Sequence, residues 1–333
     1  MLGYSFFAKK GITALSLDFI NRYQKEVRVN FKKKFVYKKI LTSVFIFIGF
    51  SLFSDKSFSA EKSVLLRYLY SIDRFYNKKL GLPTGVFVDK KRNEIYIADN
   101  QNNEILILDA DGTPIFKVNK KKGIKNPLDL AVSNGMLYVV QEGKNYIEVF
   151  DFRGDFVRRI SPPKNFPFIP GRLAIDEKEK LYVINKAKTN CSVFNKNGEL
   201  IGEIGNGFFS LASITVTNIR IYFVTPFDSS AIQVFDKSGN LIMKYEALAG
   251  DIGTKLGIPS SGIIDNRGYF WLVDGVMGVI TYDNKGREVT RSSKYGLGEI
   301  EVFYPIDIDF NGNDMIFIVN KMSKSIDVFK IDY

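Results

Sequence analysis

Residues 93–118 read NEIYIADNQNNEILILDADGTPIFKV, and the same pattern returns five more times along a chain of 333 residues. Its leading strand recurs as IYIAD (from Ile95), LYVVQ (Leu137), LYVIN (Leu181), IYFVT (Ile221), FWLVD (Phe270) and IFIVN (Ile316), with starts 42, 44, 40, 49 and 46 residues apart. A period in this range marks a repeat architecture, in which no unit can bury its apolar face alone. A second strand follows at a nearly constant offset: ILILDADG, IEVFDFRG, CSVFNKNG, IQVFDKSG, VITYDNKG and finally IDVFKI. The Asp/Asn-x-x-Gly ending supplies a tight turn at Gly112, Gly154, Gly198, Gly239 and Gly286, because glycine takes positive φ without a steric cost.

A third strand comes after each turn (TPIFKV, DFVRRI), and a fourth precedes each unit (PTGVFVD, PLDLAVS, GRLAID, PSSGIID, YPIDIDF). Four short strands, six times over, predict an all-β, six-bladed β-propeller of four-stranded antiparallel blades. The sixth unit ends the chain at IDVFKIDY without its last strand, and SVLLRYLYSIDRFYN (63–77) resembles the missing piece. The N-terminal strand, about 63–76, is therefore expected to complete the last blade, closing the ring and covering an exposed sheet edge.

LPTGVFVDKKRNEIYIADNQNNEILILDADG resembles an NHL repeat, the likeness extending over about residues 80–333. Asp99, Asn102, Ile105 and Gly112 match the repeat position by position, whereas Glu104 stands where the family usually has Arg. The resemblance implies a secreted-type propeller that binds substrates or partners, with lactonases and amidating lyases as its enzymatic minority. Amidating lyases need histidine ligands, and this chain has no histidine.

That absence also excludes Ser-His-Asp and Cys-His catalysis and His-ligated zinc. Cys191 is the one cysteine, which rules out an internal disulfide and a Cys-based metal cluster. Its place in the alternating strand CSVF reads as a small core residue.

The net charge of +11 is uneven. Residues 1–60 hold eleven Lys/Arg against three acids, leaving 36 against 33 for residues 61–333. The repeat region thus has an ordinary surface charge, and a nucleic-acid groove finds no support. The sequence divides accordingly into a basic N-terminal extension and signal segment (1–60) and the propeller (61–333). Lysines precede an uncharged apolar run, Ile40–Phe53, and then small polar residues, the order of a secretory signal with cleavage expected around 59–61. Fourteen residues fall short of the ~20 of a membrane span. The chain is expected to be exported to the periplasm or outside the cell, touching membrane only through this segment if it is retained.

In a propeller the first strand of each blade lines the central channel. Two positions after each Pro-like start stand Gly85, Asp129, Arg172, Ser213, Ser261 and Asp307. Asp129, Arg172, Ser213, Ser261 and Asp307 are the candidate ligand-binding residues, with Asp129 and Asp307 the candidates for holding calcium. Asp99, Gln141, Asn185, Thr225, Asp274 and Asn320 recur in every unit, which argues for backbone capping. Asp89, Asp176, Asp265 and Asp309 are expected to cap the turns after the first strands, and Phe270 and Trp271 to pack in the core. The linkers 160–171 and 245–262 are long enough to carry binding surface. Together these features predict a non-catalytic scaffold for a protein, peptide or glycan partner. The alternative is a calcium-dependent lactonase-like hydrolase built on the channel carboxylates.

Overall fold

The computed structural model describes residues 64–247, 256–296 and 301–333, with no side-chain description for 293–295. The signal-segment reading of 1–60 and part of the 245–262 linker lie outside the described residues.

Six sheets form six blades. Blade 1 runs outward through Pro83–Asp89, Glu94–Asp99, Glu104–Asp109 and Pro114–Asn119, every pair antiparallel. The inner strands of the others are Pro127–Ser133, Pro170–Ile175, Ser213–Val216, Pro259–Ile264 and Pro305–Phe310. Each inner strand touches the next, and that of blade 6 touches that of blade 1, so the ring is closed. Alternation places one set of side chains on each blade face, and six hydrophobic clusters fill the six junctions. Trp271 and Phe270 are wholly buried in two of these, on opposite faces of blade 5.

Closure is made by Leu65–Ile72, which pairs antiparallel with Ser325–Asp332 from Leu65↔Asp332 to Ile72↔Ile326. Leu66 enters the junction of blades 5 and 6, and Ile72 that of blades 6 and 1. The strand stops at Ile72, and a separate small hairpin, Arg74–Phe75 with Lys78–Lys79, leads into blade 1. Blade 5 gains a fifth short strand, Glu301–Val302, parallel to the end of Glu288–Tyr295.

Two faces result. On the entry face, where the chain enters each inner strand, the loop between second and third strands bonds back to the entering segment. Asn100 N–H reaches Leu82 O at 2.9 Å, Lys186 N–H reaches Ile169 O at 2.8 Å and Gly275 N–H reaches Ile258 O at 2.9 Å. The opposite, turn face carries the connections between first and second strands.

The recurring second-strand termini brace the entry face as expected. Asp99, Asn185, Asp274 and Asn320 are completely buried. Asp99 accepts from Gly81 and Leu82 N–H at 2.9 Å, and Asp274 from Gly257 and Ile258 N–H at 2.8 and 3.0 Å. Asn185 and Asn320 accept from Ile169 and Phe303 N–H, each at 3.2 Å, and Gln141 accepts from Lys125 N–H. Thr225 differs, donating to Ser230 O at 2.7 Å. These bonds give the buried entry backbone its partners.

On the turn face Asp89, Asp176 and Asp265 cap as expected, each accepting from the N–H two residues on at 2.9–3.0 Å. Asp309 does not. Its strand continues to Phe310, so Asn311 takes the capping position, accepting from Asn313 and Met315 N–H at 2.9 and 3.0 Å. Asp309 accepts instead from Val88 N–H of blade 1 at 2.7 Å and from Phe310 N–H at 2.8 Å.

Candidate functional site

An inner strand has a blade partner on one edge only, and its other edge offers unpaired N–H and C=O groups to the channel. The candidate ring answers that need. Asp129 of blade 2 accepts from Leu173 N–H of blade 3 at 2.9 Å, and Asp307 of blade 6 accepts from Val86 N–H of blade 1 at 2.9 Å. A register shift between Pro83/Gly85, Pro127/Asp129, Pro170/Leu173, Pro259/Ser261 and Pro305/Asp307 puts a bulge at this level in five blades. Such bulges re-aim side chains, and here they also turn carbonyls into the channel.

Arg172 exploits both effects. Its Nη1 lies 2.8 Å from Asp307 Oδ2 and 3.4 Å from Asp129 Oδ1. Its Nη2 donates to Ile306 O at 2.7 Å and Thr84 O at 3.2 Å, the carbonyls of the bulged residues in blades 6 and 1. Ser213 and Ser261 extend the network: their hydroxyls are 2.9 Å apart, and Ser261 donates to Asp307 Oδ1 at 2.8 Å. Since Ser261 spends its proton on Asp307, Ser213 is the donor to Ser261. All five candidates therefore meet in one chain of hydrogen bonds. Gly85, the sixth ring position, contributes space instead of a side chain.

Burial disfavours the guanidinium charge of Arg172, but Asp307 and Asp129 outweigh it and hold the group above its ordinary range. Burial pushes Asp129 up to about 7, with Arg172 opposing and Asp307 adding to the rise. Burial likewise raises Asp309 to about 6, against the opposing pull of Lys90. Cys191 is buried among apolar neighbours and its thiol is pushed well above the usual range.

The ring forms one end of a cavity of about 570 Å³. The walls are apolar residues such as Val88, Leu130, Ile175 and Ile214, and the far end, at the turn face, carries Lys90, Asn134, Glu177, Asn218 and Asn266. The sequence placed the ring at a channel mouth, whereas the structure makes it a cross-braced floor. Among the described residues no three His, Cys, Asp or Glu side chains gather as a metal set. The pair Asp129–Asp307 suits a guanidinium, and a calcium ion there would have the Arg172 charge as its neighbour.

Sequence reasoning missed the carbonyls of Thr84 and Ile306, and the role of Asp309. Thr215 was missed too; its hydroxyl donates across the channel edge to Gly262 O. The available signal was the alternation Asp307-x-Asp309 and Ser213-x-Thr215, two consecutive same-side positions on one inner strand.

A chain of this kind is a six-bladed β-propeller with a polar, internally paired ring across its channel. No family model and no curated protein matches it. Solved structures do. A Bacteroides thetaiotaomicron protein of unknown function is 18% identical over 81% of this chain and 76% of its own, at a TM-score of 0.60. A Xanthomonas campestris gluconolactonase is 13% identical over 75% and 86%, at 0.61, and Staphylococcus aureus virginiamycin B lyase 14% over 80% and 99%, at 0.54. At such identities the likeness establishes the propeller fold alone.

Proposed function

We propose that this chain is an exported, non-catalytic propeller of NHL-like blades that binds a protein, peptide or glycan partner through the turn-face cavity. The observation that carries the reading is the commitment of the channel carboxylates. Asp129 and Asp307 are engaged by Arg172, by Leu173 and Val86 N–H and by Ser261. Oxygens already filled by these donors have little capacity left to take a substrate group or a metal ion. The cavity on the turn-face side, by contrast, is open, apolar in its walls and rimmed by polar turn residues, the composition of a recognition site. Export follows from the leader order of residues 32–61.

The competing hydrolase reading makes different demands. Metal content of the purified protein, thermal unfolding with calcium or a chelator, and a lactone-hydrolysis screen are measured beside binding to peptide and glycan arrays. Array binding that is lost on obstructing the cavity in Asn218→Trp, without a calcium-dependent melting shift, is the expected result. Stoichiometric calcium, lost together with lactone hydrolysis in Asp129→Asn and Asp307→Asn, would replace the scaffold by the hydrolase.

A further inference from the structure

The entry face is two-sided. Over blades 1 and 2 its described loop tips are polar: Asn100, Gln101, Asn103, Glu142 and Asn145. Over blades 3 to 6 they are apolar and exposed: Ile169 (54%), Phe209 (78%), Phe227 (66%), Ile258 (39%) and Met322 (57%). The two tips of blade 4 are tied to one another, and the loops of blades 5 and 6 approach each other. Phe209 N–H donates to Asp228 Oδ1 at 3.2 Å and Phe227 N–H to Ser210 Oγ at 2.9 Å, which holds the two rings on adjoining loops. Gly275 lies between Ile258 and Tyr304, and the Met322 N–H bonds to Phe303 O at 3.3 Å.

Large apolar side chains on the loop tips of four adjoining blades point to an apolar environment on this face. The charges beside them indicate which. Lys186, Lys321 and Lys324 stand exposed on the same loops and form no ion pair with a described residue, while Lys321 lies over the Tyr304 ring at 5.8 Å. Among the described acids here, Asp228 is occupied, its two oxygens accepting from Phe209 and Ser210 N–H, and Glu203 is paired with Lys188. Apolar tips interspersed with lysines match a bilayer interface, where rings enter the headgroup boundary and ammonium groups meet phosphates. A protein interface would instead require a packed apolar centre with charge excluded from it.

The geometry points to the entry face of blades 3–6 as a docking surface for an anionic phospholipid bilayer. Phe209 and Phe227 enter the headgroup–acyl boundary, and Lys186, Lys321 and Lys324 bind lipid phosphate. The turn-face cavity then looks away from the membrane, toward solution.

The test separates the face from the leader. In the full chain Cys191 is buried, so Ser229→Cys on the entry face and Glu177→Cys on the turn face each accept an environment-sensitive fluorophore selectively. The labelled proteins are titrated with vesicles of phosphatidylglycerol mixed with phosphatidylcholine, and with phosphatidylcholine alone. A blue shift and roughly twofold brightening at 229, absent at 177, confined to anionic vesicles and suppressed about tenfold in affinity by Phe209→Ser/Phe227→Ser, supports the proposal. Both phenylalanines are exposed, so an unchanged melting curve certifies that variant. Sedimentation with vesicles while the 229 probe stays silent would assign binding to the leader and overturn it. An equal response to neutral vesicles would remove the phosphate contacts, and a concentration-dependent shift without vesicles would make the occupant a second copy; either overturns it.

Discussion

A Cβ on Gly85 would fall 2.7 Å from Asp129 Oδ1, closer than real side-chain contacts allow. The blank position of the ring is therefore what lets Asp129 lie across blade 1 toward Arg172. The carboxylate is held by Leu173 N–H and cannot yield without giving up that bond. Gly85→Ala is expected to lose about 1–3 kcal/mol, as overpacking in a filled site does. Adding Asp129→Ala should recover part of that loss, so that chemical denaturation of the two single variants and the double shows a coupling above 0.5 kcal/mol in magnitude. Strict additivity would mean that the two positions do not meet.

Arg172 is the keystone of the same ring. Removing it in Arg172→Met leaves Asp129 and Asp307 buried side by side and strips Thr84 O and Ile306 O of their donor. Breaking one partner out of a buried ion pair costs roughly 3–5 kcal/mol, and that loss is expected from denaturant midpoints at unchanged slope. Arg172→Lys should recover less than half, because one ammonium cannot serve four acceptors spread over blades 1, 2 and 6. Stability equal to wild type in Arg172→Met would show the ring to be a surface feature.

The ring was half legible in the sequence. Repeat alignment found all five polar positions because their spacing from a Pro-like start is a period-two strand property, and it found ring closure because one strand was missing from the end. It could not find Thr84 and Ile306 as acceptors, since a carbonyl has no letter of its own and the bulges that aim them arise from pairing. Asp309 was misread for a related reason: Asn311 offers the same capping chemistry two residues later, and the strand length that decides between them comes from pairing with Met315–Asn320. The direction of the open cavity, set by where Arg172 crosses, was likewise a matter of side-chain reach.

Asp309 gives the protein a titratable element. Its carboxyl is raised from 3.8 to about 6 by burial, with Lys90 opposing and Asp307 adding a smaller rise. The native state then keeps a proton that the unfolded chain has released. The resulting stability is fully present below about pH 4 and disappears as the pH rises through about 6. Asp236 and Asp283, lowered by their turn hydrogen bonds, run the other way, so a difference between variants is the clean measure. Asp309→Asn loses an acceptor at every pH but does not titrate. Relative to wild type it should improve by roughly 2 kcal/mol between pH 4.5 and pH 8. A pH-independent difference would show that folding does not raise the Asp309 carboxyl.

Cys191 sits at 0% exposure in the junction of blades 3 and 4, and burial suppresses its thiolate. Reaction with a thiol reagent should need opening of that junction, with native-state labelling slowed by at least about a thousandfold against the unfolded chain. Labelling within seconds in buffer would contradict the packing.

The last relationship spans the greatest distance along the chain: Leu65 pairs with Asp332 and Ile72 with Ile326. Only a strand joined across the whole sequence makes blade 6 four-stranded, and its grip depends on side chains as well as on the ladder. Leu66 and Ile72 are 8% and 6% exposed and enter different clusters, one against blade 5 and the other against blade 1. Truncating either to alanine should cost roughly 2–4 kcal/mol through lost burial and residual cavity. Because the two sites lie in separate junctions, the double variant should lose nearly the sum. Detachment of this strand exposes the edge of Ser325–Asp332, so limited proteolysis should cut first within 64–73 in the double variant, and aggregation should follow. If both single variants melt with the wild type and the first cuts fall elsewhere, closure by this strand contributes little to holding the ring together.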